Sequence, residues 1–329
     1  MIFSKIVGVD LGTANLLIYV KGEGIVIDEP SVVAVDDTTK KVLAVGHEAK
    51  EMLGRTPMKI RAIRPLKDGV IADFEITETM LSYFMNKLNL KGFFSRPVIL
   101  ICCPSNITSV ERNAIRDAAY RAGAKRVYIE EEPKVAAIGA GLDISQPFGS
   151  MVLDIGGGTT DVAVLSLGEI VTSTSLKIAG DTLDRDIIKY VKDKYQLLIG
   201  DRSAEDIKKQ IGTVYKSSRD DEIEVSGRDM VNGLPRTIKI RSSETEVAMR
   251  ESMADIVRAC RTVLEQTPPE LSADIMERGI VLTGGGALLH GLDSLLMQEL
   301  QIPVYSAKNA LTCVAEGTGI MLENLKHTR

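Results

Sequence analysis

No tryptophan occurs in the 329 residues, aromatics make up 4% of them, and the three histidines (His47, His290, His327) stand far apart with no HxxxH pair. The four cysteines (Cys102, Cys103, Cys260, Cys313) show no CxxC spacing. Neither a zinc site nor a disulfide framework is therefore expected, and unpaired thiols acting as small core residues suit a reducing cytoplasm. No apolar run approaches the roughly 18–20 residues that a spanning helix needs. The opening MIFSKIVGVD lacks the basic n-region and long apolar stretch of a secretion signal, so the chain is expected neither to cross a membrane nor to be exported. Basic residues are not in excess: 45 acidic against 40 basic side chains leave a net charge of -5. A surface of that sign repels phosphates overall, which argues against a nucleic-acid partner. There is no GxxxxGK[ST] and no GxGxxG following a strand, so the P-loop and dinucleotide fingerprints are excluded.

What is present is a hydrophobic content of 44% in a chain longer than one core supports, since single cores stop growing near about 250–300 residues. Two packed lobes follow. An internal echo supports them. Lys5–Val20 reads as a strand ending in Asp10, a small-residue turn Leu11-Gly12-Thr13-Ala14-Asn15 and a second strand. Met151–Leu165 repeats the design with Asp154, the turn Ile155-Gly156-Gly157-Gly158-Thr159-Thr160-Asp161 and Val162–Leu165. Elsewhere strands alternate with amphipathic helices, the pattern of α/β layers. Thr108 with Glu111 forms a capping box and Gly123 stops that helix. Ser203 with Asp206 opens another, with Ile207, Ile211 and Val214 on one face. Ser243–Gln266 places Val247, Met253, Ile256, Val257, Cys260 and Leu264 on one face before Pro268-Pro269 ends it. Short β-prone runs in Arg219–Ile240 predict a small appended sheet.

Binding a polyphosphate requires backbone N–H groups aimed at one point, which small residues in tight turns permit, together with a cation to offset charge. The two glycine turns join strand to strand, each directly after an aspartate, and such a pair clamps a polyphosphate from two sides. Asp10 and Asp154 are then candidates to hold Mg²⁺, through its waters because this ion keeps its hydration shell. A third cluster, Thr283-Gly284-Gly285-Gly286, follows the apolar strand Gly279–Leu282 and is expected to open a helix carrying Leu288, Leu289, Leu292 and Leu295; glycine there allows close approach to a ligand.

DLGTAN, EEP, DIGGGTTD and GIVLTGGGALLHGL, in this order, resemble the five-segment nucleotide site of the actin, Hsp70 and sugar-kinase superfamily. RPLKDGVIADFE (Arg64–Glu75), EEPKVAAIGAG (Glu131–Gly141), IAGDTLDRDI (Ile178–Ile187) and TPPELSADI (Thr267–Ile275) resemble the bacterial actin MreB and its paralogue Mbl. The resemblance runs from about Lys5 to about Leu325. It implies an α/β, actin-like ATPase fold of two similar lobes with a nucleotide cleft between them: lobe I over 1–145 plus about 310–329 with a small insertion at about 30–70, and lobe II over 146–309 with an insertion at about 181–242. It further implies that Gly12, Thr13, Ala14 and Asn15 hold phosphates from one lobe and Gly156, Gly157, Gly158 and Thr159 from the other. By the same resemblance Glu205 and Lys208 serve the ribose and base, and Gly284, Gly285, Gly286 and Ala287 line the adenosine. Hydrolysis is implied to rest on Glu132, before the proline of EEP, and on Thr159. Eukaryotic actin carries a lysine where this chain has Leu17, which leaves neutralisation to Mg²⁺.

Lys91-Gly92-Phe93-Phe94-Ser95-Arg96 places Phe93 and Phe94 between basic residues in a loop, which suits shallow insertion into an anionic leaflet; Met1-Ile2-Phe3 could assist. The resemblance implies an ATP- and Mg²⁺-dependent filament of this chain with itself on the inner face of the cell membrane. Such a filament directs cell-wall synthesis with elongation machinery such as MreC, MreD and RodZ. The alternatives are soluble ATPases. An Hsp70-like one would call for a substrate domain, and none follows the last helix; a sugar kinase would call for a further catalytic aspartate, and no segment supplies one.

Overall fold

Ile6–Leu11 is buried along its whole length, and its alternate residues serve two different cores. Val7, Val9 and Leu11 face the core of the first lobe, while Ile6 faces a second layer shared between lobes. Such two-sided burial is what continuous apolar strands in the middle of an α/β sheet require. The computed structural model describes residues 5–88, 96–216 and 218–324.

Two five-stranded sheets organise the chain. In the first, Ile6–Leu11 pairs antiparallel with Asn15–Val20 and parallel with Val98–Cys103; Gly24–Pro30 and Arg126–Glu131 complete the edges. In the second, Ser150–Ile155 pairs antiparallel with Thr160–Ser166 and parallel with Ile280–Thr283; Glu169–Leu176 and Val304–Ser306 form the edges. The two sheets thus have the same topology: three antiparallel strands joined by hairpins, then two parallel strands reached through helical crossovers. The echo in the sequence is this repeated sheet. Met151, Leu153 and Ile155 enter the core of the second lobe and Val152 the shared layer, matching the alternation of the first strand.

The shared layer is built on two helices, Glu132–Gly139 and Cys313–Asn324. They approach so closely that a Cβ on Gly139 would strike the backbone of Cys313, and one on Gly317 the backbone of Val135. Glycine at both contacts lets the helices touch backbone to backbone. Val135, Ala136, Ala137 and Val314 then seal the two lobes together behind the cleft.

Each lobe also carries a small sheet. Val33–Asp36 pairs with Val42–Val45 and Ile60–Ile63 and is backed by the short helix His47–Met52. Glu222–Asp229 pairs with Pro235–Arg241 and Leu197–Leu198, the appended sheet expected from the β-prone runs.

Local signals succeed and fail for identifiable reasons. Thr108 caps Ser109–Arg121 with both halves of the capping box formed, and Gly123 follows with φ 114°. The helix expected to open at Ser203 instead runs Asp201–Ile211 from Gly200, with no side-chain cap, and Val214 lies beyond its end although buried. The long helix is Ser242–Gln266; Met253, Ile256, Val257 and Cys260 are buried, but Val247 is exposed, because the stripe over its first two turns runs through Thr245 and Met249 instead. After Thr283 a 3₁₀ turn, Gly285–Leu288, precedes the α-helix Leu292–Leu300, and Leu288 faces out. All four cysteines are buried and unpaired. Among the described residues no helix is long and apolar enough to cross a membrane. Phe93, Phe94 and Met1–Phe3 lie outside the described residues.

Candidate functional site

The two hairpins point their turns at one another. A Cβ on Gly157 would lie 2.6 Å from the Cβ of Ala14, and one on Gly158 would collide with the Thr13 hydroxyl. The second turn is glycine because the first, which carries side chains, lies against it. The first is braced within its own lobe: Ser31 Oγ donates to the Gly12 carbonyl at 2.7 Å, and Gly69 N–H donates to Thr13 Oγ1 at 3.1 Å. The second is braced by the helix Gly180–Tyr195, whose Gly180 and Asp181 N–H groups donate to the Gly156 and Gly157 carbonyls at 3.1 and 2.8 Å.

Between the turns lies a cavity of about 440 Å³, within the range that ligand clefts occupy. Its walls bring together Asp10, Gly12, Thr13, Ala14, Asn15, Glu132, Asp154, Gly156, Gly157, Gly158, Thr159, Glu205, Lys208, Gly284, Gly285 and Gly286. These residues span both lobes and nearly the whole sequence. Ala287, expected on the wall, is instead buried in the core of the second lobe. Glu130 and Glu131 end a strand, whereas Glu132 begins the next helix and is the glutamate of the three on the wall, with Pro133 fixing the helix start. Leu17 also lines the cavity.

Three carboxyls, Asp10, Asp154 and Asp161, are buried around the turns, and a fourth, Glu132, is partly buried beside them. Desolvation raises Asp10 to about 7, with the charges of Asp154 and Asp28 adding to it. It raises Asp154 to about 6 against a 2.7 Å hydrogen bond donated by Thr283 Oγ1, and Asp161 to about 7 with help from Asp154. Glu132 is pushed well up, first by burial and then by Asp154, Asp161 and Asp10. One oxygen of Asp161 has no hydrogen-bond partner. Buried acids without a cation keep their protons to a higher pH than exposed ones. Among the described residues no three metal-ligating side chains converge closely enough to bind an ion unaided. This donor set fits a divalent ion held through its own waters and a ligand's oxygens, the habit of Mg²⁺.

Several wall residues were not assigned from sequence. Lys50, on the helix that backs the small sheet of the first lobe, and Arg64, just after that sheet's strand Ile60–Ile63, come from the first lobe; Gly180, Asp181, Asp184, Lys209, Arg219 and His290 come from the second lobe. Arg64 and Asp181 fall inside stretches that carried the family resemblance, so the signal was present without a role. Lys208 donates to the Gly180 carbonyl at 2.7 Å and pairs with Asp184 at 2.8 Å. At the far end, Thr213 and His290 bring two strands of backbone together, closing the wall behind the third glycine cluster.

Twin sheets of this topology, clamped at the back by two helices and opening on paired Asp-turn hairpins, define an actin-like fold with its cleft between the lobes. The comparisons agree. The structure superposes on MreB5 of Spiroplasma citri bound to AMPPNP with a TM-score of 0.95 at 42% identity, covering 99% of this chain and 98% of that one. The MamK double helical filament matches in fold, with a TM-score of 0.83 at 22% identity. Residues 4–329 match the model of the MreB/Mbl protein family. The chain is 65% identical to the cell shape-determining protein Mbl of Bacillus cereus over 98% of its own length and 97% of the relative's, and 54% identical to MreB of Escherichia coli K12 over 98% and 94%. The chain belongs to the MreB/Mbl family.

Proposed function

We propose that this chain is an ATP-dependent, actin-like cytoskeletal protein that polymerises with itself and, on the inner face of the membrane, directs cell-wall synthesis and rod shape. The observation that carries the reading is the opposition of two Asp-turn hairpins across one cavity, lined by every nucleotide residue expected from sequence except Ala287. The filament reading is supported by family membership and by relatives named for cell shape, and the fold is one that a filament also uses; contacts between unlike faces that do not close give open polymers.

In this reading the N–H groups of Gly12–Asn15 and Gly156–Thr159 take the phosphates, Glu205 and Lys208 take the ribose and base, and Gly284–Gly286 let the adenosine lie close. Mg²⁺, held through its waters by Asp10 and Asp154, would offset the negative charge of the phosphates and favour the ionised form of both aspartates. Glu132 orients the attacking water and, ionised once a bound cation offsets the neighbouring carboxyls, would receive its proton, and the Thr159 hydroxyl fixes that water's position. Phosphoryl transfer asks for positioning and charge neutralisation more than for covalent help. A closed cleft favours assembly, and loss of the terminal phosphate weakens it. Phe93-Phe94 anchors the filament to an anionic leaflet, and MreC, MreD and RodZ are the wall-synthesis partners that the family membership suggests.

Negative-stain microscopy of the purified chain with anionic liposomes and Mg²⁺, with and without ATP, tests the whole. Filaments on vesicles only with nucleotide are expected. Dispersed protein despite measured ATP binding would return the chain to the soluble ATPase alternatives. Phe93→Ser with Phe94→Ser is expected to abolish liposome co-sedimentation and leave nucleotide binding intact; unchanged sedimentation would remove the aromatic loop from the account.

A further inference from the structure

Two ion pairs cross the mouth of the cavity from one lobe to the other, and their charges are sorted by lobe. Lys50, on the helix His47–Met52, bonds both oxygens of Glu205 on the helix Asp201–Ile211, at 3.2 and 3.1 Å. Arg64, just after the strand Ile60–Ile63, meets Asp181 at 2.7 Å. Both cations belong to the first lobe and both anions to the second, joining residues 155 and 117 positions apart. All four side chains are at most about one-third exposed and line the same cavity as the glycine turns.

The two pairs end on different parts of the site. Asp181 donates its N–H to the Gly157 carbonyl, so Arg64 is fastened to the second phosphate turn. Glu205, on the helix Asp201–Ile211, receives a second cation, Lys209, one turn along that helix at 2.6 Å. Burial opposes ionisation of Glu205, but Lys209 and Lys50 together outweigh it and hold the carboxyl down to about 2. It therefore stays a charged acceptor whose direction two lysines set, one from each lobe.

We propose that Lys50–Glu205 and Arg64–Asp181 are the two bolts of an interlobe latch that retains nucleotide. In it Lys50 is a positioning residue that aims Glu205 at the ribose, while Arg64 holds the phosphate turn closed without reference to the sugar. This rests on the nucleotide reading above. Its consequence is that ribose recognition and lobe closure share one carboxylate, so a nucleotide with its ribose hydroxyls is held by a cleft that those hydroxyls help to keep shut. Partly exposed pairs are worth up to about 1 kcal/mol each, which sets the expected change in release at a few-fold per bolt.

The test is release of radiolabelled ADP and 2′,3′-dideoxy-ADP, chased with unlabelled nucleotide, from the full chain with Mg²⁺ and no pelletable polymer. Lys50→Met is expected to speed ADP release roughly three- to fivefold and dideoxy-ADP release by clearly less, because the lost bolt loosens the cleft for both ligands while the aim of Glu205 matters only where the hydroxyls are present. Arg64→Ala is expected to speed release of both ligands by the same factor, and Arg64→Asp combined with Asp181→Arg to bring the rate back towards that of the unmodified chain. Unchanged ADP release in both single variants overturns the latch. Equal acceleration of the two ligands by Lys50→Met overturns the positioning role. Failure of the unmodified chain to bind either nucleotide overturns the underlying nucleotide reading instead, and is read in the same assay before any variant is compared.

Discussion

The two phosphate hairpins have the same design but differ in what stands across the strands from the aspartate. In the first, Asp10 faces Leu17; in the second, Asp154 faces Asp161. One turn keeps its side chains, with Thr13 and Ala14 bonded or packed within the site, while the other has given them up at Gly157 and Gly158 to fit around the first. The same local motif used twice thus builds the architecture, and the site draws on the differences between the two copies. One hairpin offers shape and a single acid, the other backbone and two.

The comparison breaks most visibly if the second turn regains side chains. Gly158→Val forces a branched chain into Thr13, an overpacking that costs about 1–3 kcal/mol or more. Titration calorimetry is expected to read a loss of ATP affinity of at least tenfold, whereas unaltered affinity would mean that the turns do not close on one another. Glu132→Ala is next: ATP affinity should persist while phosphate release falls on the order of a hundredfold, the usual weight of a positioned acid–base group. Turnover at the normal rate would move the role to another residue.

Both features were readable from sequence because each is local. Asp-Gly turns, EEP and the third glycine cluster are short stretches whose residue types are dictated by backbone chemistry. Lys50 carried no such mark, and Arg64 and Asp181 lay in stretches of the resemblance without a role: a lysine on a six-residue helix and an arginine after an edge strand look like solvated charge until the topology folds one lobe over the other. Val247 and Leu288 went wrong for separate reasons: the buried stripe of the long helix passes Val247 by through Thr245 and Met249, and Leu288 ends a 3₁₀ turn outside the α-helix that follows. The role of Asp161 was hidden because its partner is cross-strand, not sequential.

That aspartate supplies a subtler test. The folded-state values of Asp10, Asp154 and Asp161, about 7, 6 and 7, lie above the ordinary aspartate value of 3.8. Between those limits the ligand-free folded chain binds more protons than the unfolded one. Its stability is therefore full below about pH 4 as far as these groups are concerned, and falls as pH rises to about 7, by up to about 1.4 kcal/mol per pH unit for each proton held. Thermal melts without nucleotide should show that decline, Mg²⁺ should lessen it near pH 7–8, and Asp161→Asn should flatten it while keeping the acceptor for Ser105 N–H. A pH-independent melting temperature in the unmodified chain would contradict the buried-acid account. The smallest effect is expected from Leu17→Lys, which places a cation opposite Asp10 and should lower the Mg²⁺ concentration needed for ATP binding a few-fold; an unchanged requirement would mean that this wall does not sense phosphate charge.

The claim that the two hairpins act on one ligand is tested most directly by a structure of the chain with Mg²⁺ and a non-hydrolysable ATP analogue. The account predicts backbone N–H groups of both Gly12–Asn15 and Gly156–Thr159 within hydrogen-bond reach of the phosphates, with the ion between Asp10 and Asp154. Phosphates held by one turn alone, with the other facing solvent, would contradict it.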